Sequence, residues 1–243
     1  MTPEPAFLLH RRPYRETSAL IDLLTLHHGR VRAVAHGVQR PGSKSRQRLQ
    51  PFTPLFVTWR GERELKRLML MESRGQTALL VGEGLLCGLY ANEIATRLLP
   101  IEMPAEEVFA FYTALMEALP LPAERALALR RYEWALLEAL DATPRFATPD
   151  GGALDPHGRY QFDALSRAFI PAERGLEGRT LRYIEQGDWR EAGLAKALKA
   201  LMRASLAPLL GSQELRSRRL MLDLAQRRQV SAHAVTADSF PPS

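Results

Sequence analysis

Gly29–Phe52, GRVRAVAHGVQRPGSKSRQRLQPF, is the stretch on which the fold turns. Its first half alternates. Val31, Ala33 and Ala35 fall on one face, and Arg30, Arg32 and His36 fall on the other with Val34. That is a half-buried strand with its cations turned outward. The second half, Pro41–Gln50, mixes Gly, Ser and Pro with basic residues and reads as a flexible loop. From Arg30 to Arg48 the stretch carries six positive charges (Arg30, Arg32, Arg40, Lys44, Arg46 and Arg48) and no acid. A strand feeding a cationic loop suits a polyanion, and nucleic acid is the commonest one.

The flanking sequence supplies more strands. Upstream, Ala6–Arg12 contains Phe7, Leu8 and Leu9 and stops at Pro13. Ser18–His27, rich in Leu, Ile and Thr, ends at His28-Gly29 and completes a hairpin. Val31–Val38 is the third strand. Downstream, Leu55–Arg60 alternates Leu55, Val57 and Trp59 against Phe56, Thr58 and Arg60, and Gly61-Glu62 turns the chain into a fifth strand, Glu64–Glu72. Five short strands with the longest connection between the third and fourth predict a small Greek-key barrel. An OB-fold and an SH3-like barrel share this count, and periodicity does not separate them.

After about residue 80 the period changes from strand to helix. Leu86, Leu89/Tyr90, Ile94 and Leu98 mark one helix, ended by Pro100; Val108, Phe111/Tyr112 and Leu115 mark a second. Pro122–Leu140 is a third, with Pro122 at its start and Leu129, Leu136 and Leu140 on one stripe. Ala142–Tyr160 (ATPRFATPDGGALDPHGRY) is a turn-rich break, and Tyr160–Pro171 fits neither period clearly. Gly187–Leu210 and Glu214–Arg228 read as helices, and the residues from about Ser231 as a loose end. The division expected is a barrel over residues 1–80 and an α-helical domain over 81–243, with an insertion at about 142–160: an α+β chain.

Charge follows this division. Residues 1–80 hold 14 Lys/Arg and 6 Asp/Glu; residues 81–243 hold 19 and 21. The excess positive charge therefore lies in the first third, and the two parts meet different partners. A single cysteine, Cys87, excludes an internal disulfide and any multi-cysteine metal site, and suits a reducing compartment. The N-terminus shows no signal peptide, and Ala78–Ala95 is broken by Glu83 and Asn92 as a membrane span. The expected location is the cytoplasm.

No catalytic constellation emerges. The run from Val81 to Gly88 (VGEGLLCG) superficially resembles a dinucleotide loop, but its third glycine comes one position late and no βαβ unit surrounds it. The histidines form no HExxH, Asp150–Asp155 lacks the oxygen ligands of a calcium loop, and there is neither a G-x-S-x-G elbow nor a Walker loop. Ser18, Asp22 and His27 lie on one strand and cannot converge as a triad. Cys87 reads as a small buried hydrophobe. Tyr14, Phe52, Phe56 and Trp59 could stack bases, although each fits a core position as well. Four to six phosphate contacts from the basic segment give a log–log salt slope of about −3 to −4 on single strands. In the helical part, Arg130 and Arg131 stand beside an apolar stripe, which fits an acidic peptide ending in an apolar residue and a carboxylate. Composition alone favours solvated arginines there.

Six segments in order complete the reading: AFLLHRRPYRETS (6–18), LHHGRVRAVAHGV (26–38), QPFTPL (50–55), GLYANEIATRLL (88–99), ALRRYEWALL (128–137) and ELRSRRLML (214–222). Together they resemble the bacterial RecO recombination-mediator family along nearly the whole chain. The resemblance implies an N-terminal OB-fold and a helical domain. It implies binding of single- and double-stranded DNA, annealing of complementary strands and, with RecR, loading of RecA on DNA coated by single-stranded-DNA-binding protein. It places docking of that protein's acidic C-terminal tail at Arg130 and Arg131, and the protein in the cytoplasm at the nucleoid. Some family members hold zinc with four cysteines where this chain has RFATPDGGALDPHGRY (145–160), without a cysteine, so no metal or other cofactor is expected. An RNA-binding barrel on a helical scaffold is the alternative of another class, and a nuclease a more distant one, since no carboxylate cluster is evident.

Overall fold

Strand alternation closes the first third of the chain on itself. The strands are β1 (Glu4–Tyr14), β2 (Ser18–Thr25), β3 (Gly29–Ala35), β4 (Pro54–Arg60) and β5 (Leu65–Ser73). They form a closed barrel in the order β1-β2-β3-β5-β4, with β3 and β5 parallel and the other pairs antiparallel. This order separates the two barrels that strand count leaves open, and it is that of an OB-fold. The computed structural model describes residues 2–73, 75, 78–191, 193–224 and 226.

Inside the barrel lie Ala6, Leu8, Ile21, Leu23, Val31, Ala33, Ala35, Leu55, Val57 and Trp59. The alternation of β3 and β4 thus points inward as read. The loop after β3 contains a short helix, α1 (Lys44–Arg48), capped by Ser43, whose hydroxyl accepts from the Arg46 amide. No residue of α1 is buried, but Leu49 just beyond it is fully buried in the barrel core.

The helical part comprises α2 (Gly82–Leu98), α3 (Glu106–Ala118), α4 (Pro122–Ala139), α5 (Gly178–Glu185), α6 (Leu194–Leu210) and helical residues 216–224. Pro122 occupies the first turn of α4, where its missing N–H costs nothing. The region 142–177 is more ordered than its turn-rich sequence implies. It contains a three-stranded sheet of β6 (Arg159–Asp163), β7 (Ala168–Pro171) and β8 (Leu176–Glu177), in the order β7-β6-β8. Phe169 pairs with Phe162 across the β6–β7 ladder and is buried with Leu137, Leu181, Leu201 and Met202 against the helices. The expected loose end from Ser231 lies outside the described residues. Among the described residues no helix is long and apolar enough to cross a membrane.

Barrel and helices share a core. Phe7, Leu9, Leu24 and Phe52 turn away from the barrel interior and pack with Cys87, Ala91, Ile94, Val108 and Tyr112. That is why every residue of β2 is buried. Gly29, at φ 62°, lies so close to the Met103 carbonyl that a Cβ would sit 1.7 Å from its oxygen. The C-terminal helical residues are fastened by Glu93. Its carboxylate accepts from the amides of Arg216 and Ser217 at 2.9 Å and from the Ser217 hydroxyl at 2.7 Å. Burial works to raise the Glu93 carboxyl, but these donors and Arg97 hold it below the usual range.

Candidate nucleic-acid and peptide interfaces

The basic stretch divides in the structure. Arg30 is buried. Its Nε and Nη2 reach Asp22 Oδ1 at 3.0 and 2.9 Å, and Nη1 donates to the Leu99 carbonyl at 3.0 Å. Outward on β3 means, at this position, into the seam with the helical part. Arg30 is therefore a staple between β2, β3 and the end of α2, and it leaves the set of candidate DNA contacts. Arg32, opposite Asp22 in the β2–β3 ladder, is paired with Asp22 at 3.3 Å and with Glu64 at 3.2 Å. It is half-buried and its charge is matched, so its contribution to a cationic surface is reduced.

Arg40, Lys44, Arg46 and Arg48 stand differently. All four are exposed, and among the described residues none has a carboxylate within ion-pair distance. They sit on a loop held at several points. The Gln39 amide donates to the Thr17 carbonyl at 3.0 Å, the Gln39 side chain donates to the Ser18 carbonyl at 3.2 Å, and Ser18 meets His36 Nδ1 at 3.1 Å. At its far end Leu49 plugs the barrel. The loop is thus pinned to the β1–β2 turn while its charges face water.

Two shallow clefts flank this loop. Arg11, Pro13, Ala19, Val38, Gln39 and Arg46 line one. The other, of about 350 Å³, lies between the end of β3, α1 and β5 and includes His36, Arg48, Arg67, Met69 and Leu70. Arg11 also donates to the Leu49 carbonyl at 3.3 Å. Arg11 and Arg67 therefore join Arg46 and Arg48 through barrel closure. No pattern in the sequence brings them to that loop, because their placement depends on strand order. Of the aromatics, Phe52 and Trp59 are buried and unavailable for stacking, while Tyr14 is half-buried with the Arg15 guanidinium 5.3 Å from its ring centre.

The second candidate lies on α4. Arg130 is mostly buried, with Nη1 3.0 Å from Glu133 Oε2. Glu133 Oε1 accepts from the Tyr90 hydroxyl at 2.7 Å. Burial pushes the Glu133 carboxyl up to about 7 against the pull of Arg130, Tyr90 and Lys199. Arg218, beyond α6, acts on Tyr90 in the same cluster. Arg130 is thus the cation in contact with this buried carboxylate, while Lys199 acts on it, and Arg218 on its partner Tyr90, through longer-range electrostatics. Arg131, about 100° further round the helix, is exposed and outside this set. Lys199 and Arg218 lie far along the sequence from Arg130, and no pattern there links them.

Comparison with known proteins follows the same two-part plan. Residues 1–76 match the family model "Recombination protein O N terminal" and residues 81–148 match "Recombination protein O C terminal". The chain is 40% identical over 226 residues to "DNA repair protein RecO" of Pseudomonas aeruginosa, covering 90% of this chain and 94% of the relative. Proteins of the same name from Alteromonas mediterranea and Burkholderia orbicola are 36% and 37% identical. They cover 89% and 91% of this chain and 95% and 82% of their own lengths.

Proposed function

The chain belongs to the recombination protein O family, whose role is in DNA repair and recombination, and from that premise we propose that it is a non-enzymatic mediator that gathers DNA strands on its barrel. The observation that carries this is the exposed set Arg40, Lys44, Arg46 and Arg48, flanked by Arg11 and Arg67, none of them in an ion pair among the described residues. Such a surface binds phosphates without reading bases. It accepts single and double strands alike, and it lowers the repulsion between two complementary strands so that base pairing supplies the specificity. The helical part supplies a separate dock at Arg130, with Arg131 beside it, for the acidic C-terminal tail of single-stranded-DNA-binding protein. In this reading the protein is brought to coated single strands by the tail and, with RecR, helps RecA to load there. It needs no cofactor of its own.

Fluorescence anisotropy with a labelled oligonucleotide and a labelled acidic tail peptide tests the division of labour. Lys44→Ala, Arg46→Ala and Arg48→Ala together should flatten the single-strand salt slope by about 2, at about 0.7 per lost contact, and leave peptide affinity unchanged. Arg130→Ala should weaken peptide binding by about tenfold and leave the salt slope as it was. Equal loss of both activities in either variant rejects the proposal.

A further inference from the structure

Glu133 is 1% exposed, yet one of its oxygens has no hydrogen bond among the described residues. Oε2 lies 3.0 Å from Arg130 Nη1, but no N–H of that guanidinium is aligned with it. The pair is a charge contact without the directed bonds that would lock it. Arg130 can therefore turn outward without breaking an aligned hydrogen bond to Glu133. An ionised Glu133 left behind would be a buried charge without its ion-pair partner, which is strongly unfavourable.

The groups facing this carboxylate come from every element around it. Tyr90 from α2 and Arg130 from α4 touch it, Cys87, Tyr132 and Lys199 are coupled to it electrostatically from α2, α4 and α6, and Arg218 acts on Tyr90 from residues 216–224. Burial raises Tyr90, Cys87 and Tyr132, which keeps them neutral. Lys199 is exposed, and among the described residues Arg130 is the cation in ion-pair contact with Oε2.

We propose that Glu133 is the positioning residue of the α4 peptide site: it holds Arg130 in the free protein, and takes one proton from solvent when Arg130 turns to the carboxylate of an acidic peptide. The inference rests on the peptide-docking reading above. Capture of the peptide and neutralisation of Glu133 are then one linked event, favoured by acid. Because burial places this carboxyl near 7 in the free protein, the exchange falls within the neutral range. The peptide's own aspartates titrate well below it.

The test uses the full chain and a synthetic peptide of aspartates ending in phenylalanine with a free α-carboxylate. Its affinity should be about tenfold tighter at about pH 6 than at about pH 8. Calorimetry at about pH 8 in buffers of different ionisation enthalpy should show uptake of close to one proton. Glu133→Gln should hold the tighter affinity throughout and abolish the uptake. Tyr90→Phe removes a donor to the ionised form, so it should move the midpoint upward, and it provides the same reading should Glu133→Gln fold poorly. Binding that depends on Arg130 but stays flat across this range overturns the inference and leaves the docking reading standing. Binding indifferent to Arg130→Ala overturns both.

Discussion

Arg30 and Arg46 carry the same guanidinium on the same basic stretch, and their surroundings give them opposite tasks. Arg46 stands exposed beside Arg11 at a cleft. Arg30 is sealed between Asp22 and the Leu99 carbonyl, with side-chain exposures of 9% and 7% for the ion pair. Removing Arg30 leaves a buried carboxylate with, among the described residues, only the longer Arg32 ion pair at 3.3 Å, and takes a donor from the Leu99 carbonyl. Breaking such a pair costs several kcal/mol, and the remaining Arg32 contact softens that. Arg30→Ala should lower the free energy of unfolding by about 2–4 kcal/mol in urea denaturation. DNA affinity of the folded protein should change by less than about twofold, because no exposed charge is lost. An Arg30→Ala protein of unchanged stability and weakened DNA binding would return this residue to the contact surface.

One level up, α1 owes its position to the residue that follows it. None of Lys44–Arg48 is buried, so the helix has no apolar stripe of its own, and five residues are too few for a helix to stand alone. Leu49, fully buried among Ala35, Val38 and Leu55, anchors it. Leu49→Ala should cost about 2–4 kcal/mol through lost burial and the cavity left behind. It should also weaken oligonucleotide binding although no charge is removed, as anisotropy at fixed salt would show; unchanged affinity would mean that the charges act without being held in place. This element also shows where the sequence stops being legible. The third and fourth strands could be read from alternation, as in Leu55, Val57 and Trp59, and the first two from apolar runs bounded by Pro13 and Gly29. The helix α1 could not, because KSRQR has no periodicity and only Ser43 hints at a start. The β6–β7–β8 sheet was hidden by Pro156, Gly158 and Gly175, which punctuate strands too short to establish a period. The candidate contacts were half legible. Charge density marked Arg40, Lys44, Arg46 and Arg48 directly. The pairing of Arg32 with Asp22 depends on strand register, and the meeting of Tyr90 with Glu133 depends on helix packing.

For the molecule as a whole, the seam between barrel and helices decides whether two binding surfaces act as one body. Phe7 packs against Phe109 and Tyr112 at ring-centre distances of 5.5 and 5.0 Å. The Glu102 amide donates to the Arg30 carbonyl at 2.8 Å, and its carboxylate pairs with Lys66 at 2.7 Å. Tyr112 donates to Asn92 at 2.6 Å, and Asn92 in turn donates to the Leu8 carbonyl at 3.4 Å. Apolar packing and main-chain bonds thus cross the same boundary, while the barrel interior and the far side of the helical part each keep a core of their own. At Gly29 the two backbones come close together, and its positive φ already disfavours any side chain. A methyl at Gly29 cannot be absorbed by a rotamer change, because the atom it meets is the Met103 carbonyl oxygen. Gly29→Ala should therefore cost at least about 2 kcal/mol and should move backbone rather than side chains. Hydrogen exchange followed by mass spectrometry locates the damage: faster exchange is expected in β2, β3 and residues 99–105, with α6 and the β6–β7 ladder protected as before. The variant should still bind oligonucleotide and acidic peptide separately. It should be less able to hold a coated strand by both at once, since the gain from linking two sites depends on the geometry between them. Uniform loss of protection across the chain would instead mean that barrel and helices form a single cooperative unit, with no seam to open.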